Sequence, residues 1–440
     1  DSRKAKGLVL IIPAVHVSAG MEFPKVARIV RRFEGPTVAD VEGTVRQEIR
    51  GLAEAGKLRV KPRARIAVAV GSRGVADIQL ITKTTVAVLR ELGADPFIVP
   101  AMGSHGGATA PGQAAVLAGY GITSETVGAP VRATMEVVQL GTTSMGVPVY
   151  LDRIAFESDG IVPVNRVKKH TDFRGRIESG LMKMLAIGLG KEAGASAIHS
   201  VGPPNLAVAI PEVAELIMEK APVLFGMAVV ENGYGKVAKL KAIPVGQIRA
   251  EEEKLLELAK DLSPVVPVDA DVLVVDEMGK EISGGGMDSN VIGRIRIRRV
   301  PEPDKPDIFR VVVLNMTDKS EGNASGLGIA DFTTKRLVDK IDFKAFYTNE
   351  VASAMTERGK VPIALATDLD AIKAALLCCW MVPPERARIV RIKNTMALDE
   401  FYASEPLLGE VAKLPGIVSI GPLEGMEFGP DGSIRDVWQR

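Results

Sequence analysis

Strand-length apolar runs alternate with helix-length amphipathic stretches along most of this chain, and that alternation constrains its fold more than any other feature. The runs are RIAVAV (65–70), PFIVPA (96–101), DGIVPV (159–164), LFGMAVVE (224–231), DVLVVD (271–276), FRVVVLN (309–315), VPIALAT (361–367) and ARIVRI (387–392). Most are apolar on consecutive positions and rich in β-branched residues, the pattern of a strand buried on both faces. Between them, VADIQLITKTTVAVLREL (75–92), APGQAAVLAGY (110–120) and AEEEKLLELAKDL (250–262) read as helices. Repeated strand–helix–strand order predicts the α/β class, with mainly parallel sheets flanked by helices. A chain of 440 residues exceeds one typical core, so two domains are expected. A Pro-rich joint after the helix at 250–262 puts a hinge near Ser263 to Asp269. The predicted domains are residues 1–265 and 266–420, with the tail 421–440 returning to the first. Ligands of such sheets sit at the carboxyl ends of strands. Chemistry is therefore expected in the loops after these strands, in a cleft between the domains.

Composition narrows the function classes. A net charge of +1 provides no basic field for nucleic acid. No apolar run is long enough to span a bilayer, so no membrane partner is expected. The start, RKAKGLVLIIPAV (3–15), resembles a signal peptide, but the apolar run is short and lacks a clean cleavage site. VLIIP reads better as a first buried strand. The only two cysteines, Cys378 and Cys379, are adjacent inside AALLCCWMV. They form no disulfide framework or zinc motif and read as packing residues, which fits a reduced, cytoplasmic compartment.

Three loops and one helix carry the candidate chemistry. AVGSRG (69–74) follows the strand RIAVAV, and its glycines release backbone N–H groups ahead of a helix. Ser72 and those N–H groups suit a phosphate, and Arg73 suits a carboxylate or phosphate. In PAMGSHGGAT (100–109), four small residues bracket His105 and let a ligand approach its imidazole. VNRVKKHTDFRGR (164–176) offers Asn165, Lys168, Lys169, His170, Arg174 and Arg176. Most of these charges read as a solvated basic loop, and His170 is the acid/base candidate. SGLMKMLAIGLG (179–190) reads as a helix holding Lys183 among apolar residues, where desolvation would make an amine nucleophilic. His199 closes the segment. One histidine is a poor metal site without other donors. The residues alone therefore define a pocket with acid/base groups, a candidate lysine nucleophile and a possible metal ligand.

In this order, GSRG, then GSHGG, then a His…Lys…His cluster, the first 230 or so residues resemble the nickel-dependent lactate racemase family. Its members are racemases and epimerases of 2-hydroxyacids that use a nickel-pincer nucleotide, nickel pyridinium-3,5-bisthiocarboxylic acid mononucleotide. The resemblance implies roles residue by residue. Lys183 matches the lysine that holds the cofactor covalently, and His199 matches the nickel ligand, the pincer supplying the other donors. His105 and His170 match the paired acid/base histidines. Arg73 matches the arginine at the substrate carboxylate and, with Ser72, is placed at the cofactor. The implied reaction is proton-coupled hydride transfer through a 2-keto acid, an isomerase chemistry that avoids a costly carbanion. The implied partners are a small 2-hydroxyacid and the cofactor-maturation proteins.

The chain departs from that pattern in two places. The first loop reads Val-Gly-Ser-Arg where the family has Asp-x-Thr-Arg, and Lys183 follows Gly180-Leu-Met where the family has Gly-Gly-Arg. These departures imply a divergent branch and leave the hydroxyacid open among lactate, malate, aromatic and sugar acids. In the second domain, VVDEMGKEISGGGMDSNVIGR (274–294) reads as an active-site strand and loop. Lys280 and Arg294 are its substrate-binding candidates, with Asp288 and Asn290 beside them, and 317–326 and Trp380 further off. Two rival readings accompany the racemase: another hydride or lyase reaction on a hydroxyacid, and a protein that binds the cofactor or a nucleotide without turnover.

Overall fold

A computed structural model describes residues 15–17, 20–72 and 74–438. The chain divides into two compact units. Residues 33–263 form one, and residues 264–440 together with the chain up to Arg32 form the other.

The first unit is built on a five-stranded sheet in the order Asp95–Pro100, Arg65–Val70, Gly160–Arg166, Phe225–Glu231, Val237–Pro244. The first four strands are parallel and the last is an antiparallel return. Alternation along Arg65–Val70 sorts side chains between two cores. Ile66, Val68 and Val70 face the helices Val41–Glu54 and Ile78–Glu91. Ala67 and Ala69 face the other way, where their small size makes room for Phe97, Phe173 and Leu185. Helices Leu206–Lys220 and Ile248–Leu262 cover that second face. A hairpin of Val137–Thr142 with Pro148–Asp152 stands apart as a two-stranded sheet.

The second unit has an eight-stranded sheet in the order Ile363–Leu365, Phe332–Thr334, Ile308–Met316, Ala270–Met278, Ile389–Asn394, Ala397–Ser404, Val26–Arg31, Ile417–Glu424. Its first five strands are parallel and the last three antiparallel. Here the ends of the chain differ from the expected partition. Val26–Arg31 lies between two C-terminal strands, pairing Val26 with both Ser404 and Glu424. The tail closes on the same unit: the Ile434 amide donates to Asp368 and the Trp438 indole to Asp276. An early strand thus joins the C-terminal half, and residues 434 and 438 of the tail bond within that same unit, where a tail belonging to the first domain was expected. The physical reason is that VARIVR fills a sheet position that Ala397–Ser404 and Ile417–Glu424 would otherwise leave as open edges. The expected first strand, VLIIP, lies outside the described residues. Cys379 is buried, Cys378 is half-buried, and neither is bridged. Among the described residues, no helix is long and apolar enough to cross a membrane.

Candidate functional site

Strand order locates the site in the first unit. Arg65–Val70 connects onward to Asp95–Pro100 on one side, while its other neighbour, Gly160–Arg166, connects onward to Phe225–Glu231 on the opposite side. Adjacent parallel strands whose connections diverge leave a crevice at their carboxyl ends. The loops leaving those ends carry Ser72 and His170, and the loop after Asp95–Pro100 carries His105. Glu231, at the end of the next strand, draws the ends together: it pairs with Arg166 and accepts the Ala76 amide at 2.7 Å.

Ser72 and His105, 33 residues apart in sequence, meet directly. The Ser72 hydroxyl hydrogen-bonds Nδ1 of His105, and the Ser72 carbonyl accepts from the Tyr120 hydroxyl at 2.7 Å. The serine expected at a phosphate is thus engaged by the histidine of the neighbouring loop. Arg73 lies outside the described residues. Gly106 allows the His105 loop to sit against the next helix: a Cβ there would stand 2.6 Å from the Gln113 nitrogen.

His170 and Lys183 also meet. Nε2 of His170 lies 2.5 Å from Nζ of Lys183, and Nδ1 accepts the Asp172 amide at 3.1 Å. A neutral ring that accepts at Nδ1 carries its proton on Nε2, facing the lysine amine. Phe173 stacks on the imidazole at 4.5 Å. Burial first, and then the lysine beside it, hold the His170 pKa well below the usual histidine range. His199 ends the helix Lys191–His199 and keeps solvent contact. Its pKa is lowered by the protein packed around it and then by Lys183, so His199, Lys183 and His170 share one electrostatic neighbourhood. Among the described residues, no three His, Cys, Asp or Glu side chains stand together as a metal site. A metal at His199 would need donors from a bound group.

The segment around Lys183 is not the continuous helix expected. One α turn, Leu181–Lys183, runs into a π turn, Met184–Gly188, a form common at functional sites. Its backbone packs on the strand ends, with the Gly103 amide donating to the Gly188 carbonyl at 3.0 Å. Two buried carboxylates hold the segment and the loop before it. Glu178 accepts the His170 amide at 2.6 Å. Glu252 accepts the Met182 amide at 3.0 Å and the Leu181 amide, so it caps the turn that bears Lys183. Gly180 is required there, because a Cβ would collide with the Glu252 carboxylate.

Burial pushes Glu252 up to about 7. The unfolded chain releases this proton near the ordinary glutamate pKa of about 4.3, whereas the folded chain keeps it up to the raised value. Stability therefore falls as pH rises through that window, by about 3 kcal/mol. Glu252→Gln removes the effect. Between pH 5 and pH 8, urea unfolding of the wild type should lose about 3 kcal/mol more than that of the variant. Parallel pH dependences would refute the assignment.

A second set of residues lies outside every loop singled out in the sequence. Lys191, Asp152 and Gln113 are wholly buried and bonded together beneath the His105 loop. The one available signal was a lysine opening a helix, where the helix dipole favours an acid. Burial raises the pKa of Asp152 and lowers that of Lys191, and their mutual attraction opposes both shifts.

Among the candidates in the second unit, Arg294 is corrected. It is 7% exposed, and its two terminal nitrogens are committed to Asp331 and to the carbonyls of Ile308, Phe309 and Ile329. That is a structural arginine, which ties the strand Ile308–Met316 to its flanking loops. Lys280 closes its own Gly-rich loop by donating to the Gly284 carbonyl at 2.6 Å. Asp288 accepts the Asn290 amide at 2.9 Å and shapes the turn. Trp380 stands 78% exposed against Phe309 and Arg310. The fourth histidine, His16, pairs with Asp370 in this unit at 2.9 Å.

Residues 17–202 match the family model of the lactate racemase N-terminal domain. That stretch of the chain is similar to the lactate racemase N-terminal domain. Within this lactate racemase-type region lie Ser72, His105, His170, Lys183 and His199. The lactate racemase apoprotein from Thermoanaerobacterium thermosaccharolyticum superposes with a TM-score of 0.55 at 14% identity, over 84% of this chain and 99% of that one, and the likeness shows the fold. A protein from Thermotoga maritima gives a TM-score of 0.47 at 16% identity, over 74% of this chain and 84% of that one. No match is found among curated protein sequences.

Proposed function

We propose that this protein is a racemase or epimerase of a 2-hydroxyacid and that it carries a nickel-pincer nucleotide on Lys183. The observation that carries the reading is the contact of Lys183 Nζ with His170 Nε2 beside His199, at the switch point of the sheet. An amine facing a neutral imidazole is placed to act as a nucleophile towards a thioacyl group. His199 alone fits a nickel ion that arrives with sulfur and carbon donors of its own. The donor set therefore fits the group: Lys183 would hold it, His199 would ligate its metal, and Arg73 would face the substrate carboxylate. When bound, the nucleotide supplies a hydride acceptor.

The chain's own residues then handle protons and orientation. His170 is held neutral by burial, and with Nδ1 accepting the Asp172 amide it would exchange a substrate proton at Nε2, the nitrogen that faces Lys183 before attachment. Ser72 fixes Nδ1 of His105, so that ring exchanges protons through Nε2. Two histidines on different loops can serve the two faces of one carbon, which inversion requires.

The test uses protein produced together with cofactor-maturation proteins. Single enantiomers of aliphatic, dicarboxylic, aromatic and sugar-derived 2-hydroxyacids are incubated in D2O. At least one should become a mixture of epimers with its C2 hydrogen retained. Deuterium at C2 would point to direct deprotonation and sink the hydride reading. No epimer from any class, with the cofactor loaded, would sink the racemase reading.

A further inference from the structure

Three side chains without solvent contact meet beneath the loop that carries His105. Asp152, Lys191 and Gln113 are each 0% exposed. The Lys191 ammonium lies 2.9 Å from Asp152 Oδ2 and donates to Gln113 Oε1 at 3.1 Å and to the Pro100 carbonyl. An ammonium has three donors and no acceptor; two of them go to these carbonyl oxygens, and the Asp152 carboxylate balances its charge as an ion pair. The ammonium also decides which way the Gln113 amide faces, because only the amide oxygen can accept. The amide nitrogen must point the other way, and it donates to the carbonyls of Gly103 at 2.8 Å and His105 at 3.3 Å. A buried charge is thereby converted into the shape of a loop.

The loop needs such support. Gly103, Gly106, Gly107 and Ala108 all have left-handed φ. A segment of that kind keeps its shape only where its surroundings over-determine it. Lys191 is costly in its own right: it is buried, its φ is +54°, and it stands at the first position of a helix, where the dipole disfavours a cation. An apolar residue could fill the same volume. What the lysine adds is a donor fixed on Gln113.

We propose that Asp152, Lys191 and Gln113 are positioning residues that hold the His105 backbone, and through it the direction of the His105 ring, for proton transfer. The inference rests on the reading of His105 as an acid/base group, and none of the three residues touches substrate.

Gln113→Met keeps length and volume and removes both loop bonds. The chain has four histidines, so their ring signals can be separated by histidine-selective labelling and NMR titration. The variant should shift the His105 ring signals and their titration midpoint and leave those of His16, His170 and His199 in place. In cofactor-loaded enzyme, kcat should fall on the order of 10²-fold, with KM and the mass adduct at Lys183 unchanged. Unaltered His105 signals in Gln113→Met would overturn the proposal, and so would unchanged kcat in an active enzyme. If the wild type turns over no hydroxyacid, the functional reading fails while the NMR result still decides positioning. Should Gln113→Met not fold, Asp152→Leu combined with Lys191→Met removes the orienting charge and leaves the amide. It should move the same His105 signals, and an unmoved spectrum would again overturn the proposal.

Discussion

Lys183→Ala, made beside the cofactor-maturation proteins, is expected to have the mass of the bare chain, to hold no nickel, and to leave a single 2-hydroxyacid enantiomer unchanged. Attachment through an amide-type bond needs an amine lone pair, and Lys183 presents its amine to a neutral imidazole at 2.5 Å. Alanine removes that nucleophile, and no step downstream of attachment can proceed. Lys183→Arg should fail in the same way, since a guanidinium keeps the charge but stays protonated. The fold should tolerate the change. Lys183 is half-buried, and its loss removes its contact with His170, about 1 kcal/mol by urea unfolding. Intact mass and nickel content decide the matter. An adduct that survives in the alanine variant would place the attachment at another residue.

How far the sequence carried the fold follows from burial. VLVV and VVVL are apolar without a break because their strands are buried on both faces, and these strands were found. VARIVR, VAKLKAIP and ALDEFYAS alternate with polar residues because one face is partly open. Their apolar signal is interrupted, and they were not separated from loops. The placement of Val26–Arg31 could not be read locally at all, because its partner residues 400–404 lie 370 or more positions away. The site divides along the same line. Ser72, His105 and His170 were legible because Gly-rich or charged loops follow clear strands. Glu252 and Lys191 were not. Each looks like a surface charge in its own helix, and only a partner 70 or 39 residues away in sequence makes it internal. Arg294 fails in the opposite sense: a charged residue in a promising loop proved to be bound within its own unit.

Lys191→Met, alone, is expected to cost about 3–5 kcal/mol of stability. The lysine removed is the charge that, with the Ala155 amide, holds the Asp152 carboxyl down against its burial. Without it, Asp152 must either stay ionised in an apolar core or take up a proton on folding. The second course raises its folded pKa still further above the unfolded value of about 3.9. The penalty is then absent below that pH and grows as pH rises, so the variant should approach the wild type in acid and fall away at neutrality. Urea unfolding at pH 5 and pH 8 reads both the size and the sign. Asp152→Leu with Lys191→Met leaves no stranded charge and should lie much closer to the wild type, since apolar replacement of a buried pair is often neutral or better. A single variant as stable as the wild type would mean that Asp152 has another way to be satisfied, and the network would not be closed. A costly single variant and a tolerated double variant would together show that packing does not require the ion pair. The remaining reason to keep it would be the one contact that a hydrophobic pair cannot make, the lysine donor that turns the Gln113 amide towards the His105 loop.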